Sequence, residues 1–207
     1  MSSLFVTFEG GEGAGKSTQI ALTYDWLLCL GYQVITTREP GGTELGNGIR
    51  QLLLQSGDAV DRAELLLFAA DRSQHVETKI RPRLEQGFIV LCDRYSDSTI
   101  AYQHYGRGLD LDLISSLNSI ATQGLKPDLT LWLDLDVNIG LDRAKQSSGK
   151  PDRMERLSIE FHQRVAQGFR ELAEKEIDRI VRINASENID NIQSQIQTIL
   201  KSHLVYR

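Results

Sequence analysis

The 207-residue sequence contains only two cysteines, Cys29 and Cys92. They lie far apart in apolar surroundings and form no C-x-x-C pair, which reads as two reduced thiols rather than a disulfide or metal framework. There is no basic excess. The net charge is −5, so a general nucleic-acid binder, which needs a basic face to displace counterions, is not expected. Long apolar runs are also missing. Stretches such as Leu65–Ala70 are far too short to span a bilayer, and no basic-then-apolar leader precedes the first structured segment. These features predict a cytoplasmic protein with no membrane contact. There are no internal repeats and no low-complexity tract. A hydrophobic content of 41% and a charged content of 25% suit a soluble domain with a sizeable core.

What is present is an alternation. Leu4–Phe8, Val34–Thr37, Phe88–Cys92 and Leu129–Leu133 are short and nearly continuously apolar, as strands buried on both faces of a parallel sheet are. Ile180–Ile183 is a weaker fifth. Helix-period segments lie between them. One runs from Lys16 to about Leu30 and stops at Gly31. Others start near Thr43 and Asp61, and one covers Leu111–Thr122. A long helix from about Arg153 carries Leu157, Phe161, Val165, Phe169 and Leu172 on one stripe. A last helix starts near Asn188 or Asp190. This order predicts an α/β protein with three layers, α/β/α, in one domain spanning 1–207. Ligands in such sheets bind beyond the carboxyl ends of the strands. The one composition break, "KQSSGKPDR" at Lys145–Arg153, is the expected mobile element of a lid at about 141–156.

The densest signal follows the first strand. Gly10-x-x-x-x-Gly15-Lys16-Ser17 fits the phosphate-binding loop pattern, and it sits between a buried strand and a helix as that motif requires. Glycines let backbone N–H groups face inward as an anion nest, and the helix adds the positive end of its dipole. Residues Gly10, Gly11, Glu12, Gly13, Ala14, Gly15, Lys16, Ser17 and Thr18 are therefore expected to hold a nucleoside triphosphate. Lys16 would bridge the β- and γ-phosphates and Ser17 would ligate Mg²⁺. A dinucleotide fingerprint is excluded, because no G-x-G-x-x-G occurs. The D-x-x-G and N-K-x-D motifs of switch GTPases are absent too.

The other strand ends carry cations. "TREPGGTELGNGIR" places Arg38 at a strand end and Arg50 two turns along the next helix, with Thr43 as its cap. "CDRYSDSTIAYQ" places Asp93 where phosphate-loop proteins orient Mg²⁺ water, and Arg94, a planar fork suited to phosphate, beside it. An Asp-Arg pair is equally able to be a self-contained ion pair. Phe68 and Arg72 lie one helical turn apart in "LLLFAADRSQH", a spacing that allows a base to be stacked and its edge read. On composition alone Phe68 belongs in a core. The polar loop is flanked by Arg143, Lys145, Lys150, Arg153 and Arg156, cations able to close over a triphosphate.

Taken together, "FEGGEGAGKST", "REPGGT", "LFAADR", "CDRY.DST.AYQ" and "DR.E" resemble the bacterial branch of the thymidylate kinases over nearly the whole chain. The resemblance implies a P-loop kinase fold with a five-stranded parallel sheet in the order 2-3-1-4-5, usually a homodimer. It implies transfer of a phosphoryl group from ATP to dTMP, with Mg²⁺. Arg38, Arg50 and Arg94 match that family's clamp on the dTMP phosphate, Phe68 its thymine-stacking ring, and Arg72 the group reading O4. Thr99 and Gln103 match base contacts, Tyr102 packs beside the sugar, and Glu12 matches the acceptor of the deoxyribose 3′-OH. Catalysis is implied for Lys16, Asp93, Arg94 and a lid cation. Gly13 stands where another branch has an arginine. Ser147-Ser148 stand before Gly149, where bacterial lids often carry one. Lys145, Lys150 or Arg153 must then serve, and Arg153 in "DRME" matches best. The acceptor, a phosphate monoester with a second pKa of about 6, is mostly a dianion at neutral pH and needs no general base. A deoxynucleoside kinase, whose acceptor hydroxyl does need one, and a non-catalytic nucleotide-binding regulator are the rival readings.

Overall fold

The structure, a computed structural model, describes residues 3–55, 59–148, 153–154 and 156–205. Five parallel strands form one sheet: β1 (Leu4–Glu9), β2 (Val34–Arg38), β3 (Ile89–Asp93), β4 (Leu129–Asp134) and β5 (Ile180–Asn184). Their order is β2-β3-β1-β4-β5, as the resemblance implied. All five strand segments lie within a residue or so of the expected bounds.

The alternation of side chains builds the layers. Leu4, Val6 and Phe8 of β1 point to one face with Ile89 and Leu91 of β3 and Leu129, Leu131 and Leu133 of β4. There they meet α1 (Lys16–Cys29) and α9 (Ile189–Val205). Phe5, Val90 and Cys92 point to the other face, against Tyr95, Val76 and Ile80. Both faces are covered, so strands without a polar side read as continuous apolar runs. Each such fully buried side chain contributes about 1.5–3 kcal/mol.

On the second face lie α2 (Glu44–Gln55), α3 (Asp61–His75) and α6 (Leu111–Thr122), which pack side by side. Thr43 caps the start of α2, its hydroxyl accepting the Gly46 N–H at 3.0 Å. Asn188 likewise caps α9 through the Asn191 N–H at 2.8 Å. The long amphipathic helix, α8 (Ile159–Lys175), starts later than its stripe suggested. Ser158 is extended and accepts the Phe161 N–H at 3.3 Å, so the cap fixes the start there and leaves Arg153 outside the helix. Before it, α7 (Val137–Ser148) takes in the first residues of the polar break. Gly149 and Lys150 lie outside the described residues.

Two segments escape simple periodicity. α3 continues through a π-helical turn, Val76–Ile80, into the short α4 (Arg81–Glu85). After β3, the short α5 (Ser96–Thr99) runs into a longer π-helical segment, Ile100–Gly106. An i→i+5 ladder shifts which residues share a face, and such turns gather at functional sites. This one carries Tyr102 and Gln103.

Candidate active site

The chain order reverses across β1, so the crevice beyond β1, β3 and β2 is the expected ligand position. A cleft of about 1060 Å³ lies there. Ligand sites are typically about 300–1,000 Å³, so this one stands at the top of that range.

The phosphate loop forms its floor. Gly15 precedes α1 with φ +88° and brings no side chain to cap it, leaving the first-turn N–H groups for a ligand. Lys16 is buried, and its Nζ donates to the carbonyls of Gly10 at 3.1 Å and Gly11 at 2.8 Å. Burial, and then Arg94, lower its pKa from the ordinary lysine value. The loop also lies flat on the helix that leads to the lid. A Cβ on Gly13, at φ +67°, would stand 2.0 Å from the Gly140 carbonyl oxygen, and a Cβ on Gly140 would stand 2.4 Å from that of Glu12. Position 13 has no space for an arginine, or for any side chain.

Next to the loop, β3 pairs with β1 so that Asp93 lies beside Phe8. The Ser17 hydroxyl approaches Asp93 Oδ2 at 3.5 Å, while the buried Asp93 Oδ1 has no hydrogen-bond partner among the described residues. Arg94 follows in the left-handed region, φ 69°, a strained backbone for a side chain of this size. The twist turns its guanidinium back onto the phosphate loop. Nη1 donates to the Gly10 carbonyl at 2.9 Å and to Ser98 Oγ at 3.2 Å, and Nη2 donates to Glu12 Oε1 at 2.9 Å. Its plane lies over the Tyr102 ring, 5.0 Å from the centroid. The Tyr102 hydroxyl donates to the same Glu12 oxygen at 2.8 Å. Burial works against ionisation of Glu12, but Arg94 and Lys16 outweigh it and hold its carboxyl at about 2. Beneath them Glu9 accepts the Tyr95 N–H and the Ser98 hydroxyl. Burial, with Asp97 adding to it, raises its carboxyl to about 7.

The far wall is a buried polar chain. Thr37 Oγ1 meets His75 Nε2 at 2.6 Å, His75 Nδ1 meets Glu39 Oε1 at 2.9 Å, and Arg72 Nε donates to Glu39 Oε2 at 2.8 Å. Arg72 Nη1 goes on to Thr99 Oγ1 at 2.8 Å and Asn118 Oδ1 at 2.7 Å. Most of the polar ends are paired within the chain, the condition for burying such groups without a large penalty. Phe68 is half-buried on the cleft wall and is part of none of the three apolar core clusters.

The thymidylate kinase family model matches residues 8–196 of the chain. The chain belongs to the thymidylate kinase family. It is 54% identical to a thymidylate kinase of Trichodesmium erythraeum, across 99% of this chain and 98% of that one. It is 53% identical to one of Acaryochloris marina, with the same coverage. Among solved structures, the thymidylate kinase of Ehrlichia chaffeensis superposes with a TM-score of 0.82 at 35% identity, over 97% of this chain and 100% of that chain.

In this kinase the residues singled out from sequence gather in one cleft. Glu12 through Thr18, Arg38, Arg50, Phe68, Arg72, Asp93, Arg94, Thr99, Tyr102, Gln103 and Arg153 all line it. Gly10 meets it through the Lys16 and Arg94 contacts, and Gly11 through Lys16. Arg50 donates to the Pro40 carbonyl at 2.9 Å, and Arg38 is exposed. Arg153 is held in an ion pair. Its Nη1 donates to Glu64 Oε2 and its Nη2 to the Ala59 carbonyl at 3.2 Å, on the wall by α2 and α3. Lys145 pairs with Asp142 on the exposed face of α7 at 3.7 Å. Arg143, also on α7, lines the cleft and was noted in sequence only as part of a charge cluster. Buried groups missed from sequence include Glu9, Glu39, His75 and Glu64. A carboxylate within an apolar helix stripe, as Glu64 is in "AELLLF", was the available signal.

Proposed function

We propose that this protein transfers the γ-phosphoryl group of ATP to dTMP, giving ADP and dTDP, by in-line displacement in a single domain closed by a lid at about 141–156. Residues 149–152 and 155 of that lid lie outside the described residues. The observation that carries the reading is Glu12. A phosphate loop serving one polyanion has no use for a carboxylate, yet this one is held low by Arg94 and Lys16 and takes hydrogen bonds from Arg94 and Tyr102. That arrangement suits a second nucleotide whose sugar hydroxyl donates to Glu12.

The loop's N–H groups and Lys16 bind the ATP phosphates, and Arg38, Arg50 and Arg94 bind the acceptor phosphate. Phe68 stacks the base, Arg72, Thr99 and Gln103 read it, and Tyr102 fills the space beside the sugar. The dianionic acceptor attacks without a general base, so positioning and charge stabilisation carry the rate. The residues fit Mg²⁺. Ser17 and Asp93 offer hard oxygens, and the partnerless Asp93 Oδ1 can hold a metal-bound water. Held by these residues, the ion would supply positive charge that offsets the charge developing on the transferring phosphoryl group. Arg153 reaches a transfer role only by leaving Glu64, so as described it is a wall residue.

A panel of nucleoside monophosphates with ATP, read by ADP release, tests the assignment. Turnover should be highest with dTMP and absent with thymidine. Phosphorylation of thymidine in preference to dTMP, or ATP binding with no ADP formed, would sink it.

The protein acts as a cytoplasmic homodimer without nucleic acid. No helix among the described residues is long and apolar enough to cross a membrane. The adjacent helices α2, α3 and α6 expose Leu52, Leu66 and Ile120 at 54%, 56% and 72%. Three large apolar side chains on one layer suit an interface. Ile120→Glu should halve the mass seen by sedimentation equilibrium at micromolar protein. An unchanged mass would place the interface elsewhere.

A further inference from the structure

Glu64 sits in the first turn of α3, with its side chain fully buried at the cleft wall. Three side chains converge on it. Gln103 Nε2 reaches Oε1 at 3.0 Å, Arg107 Nε reaches Oε1 at 3.3 Å and its Nη2 reaches Oε2 at 3.1 Å, and Arg153 Nη1 takes the same Oε2. It pairs with two guanidinium groups, and every bond it makes is one that it accepts. A group that only accepts can face only the NH₂ end of an amide. The orientation of the Gln103 side chain, ordinarily an arbitrary assignment, is therefore dictated.

Among the described residues the Gln103 amide bonds through its nitrogen alone, which leaves Oε1 to a ligand on a residue that lines the cleft. Gln103 lies one turn beyond Thr99, the residue to which Arg72 Nη1 is tied. Arg72 Nη2 likewise has no partner among the described residues. The wall thus offers a fixed hydrogen-bond acceptor and a fixed donor. A pyrimidine with a 4-keto group and an N3–H offers the complement. A 4-amino pyrimidine, with an amino group at C4 and a bare N3, reverses both partners. Leaving buried polar groups mismatched is what allows large discrimination between similar ligands.

We propose that Glu64 is a positioning residue for acceptor-base selection: by holding the Gln103 amide nitrogen, it turns the amide oxygen towards the nucleotide and so favours a keto pyrimidine over an amino one. This rests on the reading of the cleft as a dTMP site. It accounts for a buried carboxylate that the transfer step does not use, and it makes selection depend on a residue at one remove from the base.

The test compares dUMP with dCMP, which differ only at that edge, as competitive inhibitors of dTMP turnover by the full chain. A glutamine amide at position 64 can present either end to Gln103 and so frees it to turn. Glu64→Gln should lower the dCMP-to-dUMP ratio of inhibition constants by about tenfold or more, with the KM for ATP within about twofold of wild type. Arg107→Met removes a partner of the same carboxylate without freeing the amide, and should lower Tm while leaving the ratio unchanged. Gln103→Leu should lower the ratio as Glu64→Gln does. If Gln103→Leu lowers it and Glu64→Gln does not, the proposal falls while the base-reading role of Gln103 stands. If Gln103→Leu has no effect, that reading falls as well. A drop with Arg107→Met equal to that with Glu64→Gln would make the effect one of general damage and overturn the proposal. Should Glu64→Gln not fold, Glu64→Asp, which draws the carboxylate back by one methylene, is judged on the same ratio.

Discussion

Arg94→Ala is expected to cut kcat/KM for dTMP by about three orders of magnitude, the scale on which a lone arginine acts in phosphoryl transfer. The geometry gives the reason. One guanidinium holds the Gly10 carbonyl, Ser98 and Glu12, and lies over the Tyr102 ring. It therefore ties the phosphate loop to the acceptor side of the cleft. Arg94→Lys should recover little, because an ammonium cannot reproduce a planar fork with several fixed donors. The substitution has a second signature. Arg94 is the chief opposing charge that keeps buried Glu12 at about 2. Without it, burial dominates and the Glu12 pKa rises. Residual activity should then increase with pH over a range where this group leaves the wild type flat. A third signature lies in stability. At φ 69° a glycine is relaxed where an alanine is strained, by roughly 1 kcal/mol. Arg94→Gly should melt above Arg94→Ala, and both should be nearly inactive. Near-normal turnover in a folded Arg94→Ala would refute the assignment of this residue, whatever the melting order.

Much of this site was legible because strands and phosphate loops announce themselves locally. Buried runs such as Leu129–Leu133 need no tertiary information, and "GEGAGKST" carries its conformational demands in its own glycines. Two kinds of feature were not legible. The first is helix irregularity. The π-helical segment Ile100–Gly106 is set by how Tyr102 and Gln103 pack against Glu12 and Glu64, residues 90 and 39 positions away, and no local period encodes that. The start of α8 is similar. The apolar stripe extends back to Leu157, and only the extended backbone of Ser158 decides where helical bonding begins. The second is pairing. Arg153 in "DRME" reads equally as a lid cation or as an ion-pair partner, and sequence has no means of showing the buried carboxylate that claims it. For Phe68 composition and resemblance pointed different ways. Composition places it in the core, and only the cleft itself shows a half-buried ring on its wall.

Glu12→Gln should raise the KM for dTMP by about ten- to a hundredfold while leaving the KM for ATP within about twofold. The prediction separates two uses of one loop. On the proposed reading, ATP phosphates meet backbone N–H groups and Lys16, and no part of that contact requires a carboxylate at position 12. The acceptor side does. Glu12 Oε1 already takes the Arg94 and Tyr102 donors, and Oε2 remains to accept a sugar hydroxyl. An amide keeps the size but loses the charge that orients Arg94, and hydrogen bonds to a charged group are worth roughly twice those to a neutral one. Replacing the phosphate loop's own cation gives the contrast. Lys16→Ala should lower kcat by orders of magnitude and weaken ATP binding. If Glu12→Gln weakens both nucleotides equally, the carboxylate only supports the loop. In that case the packing of Gly13 on Gly140, which leaves no space for a cation at position 13, becomes the main evidence that any cation beyond Lys16 comes from outside the phosphate loop.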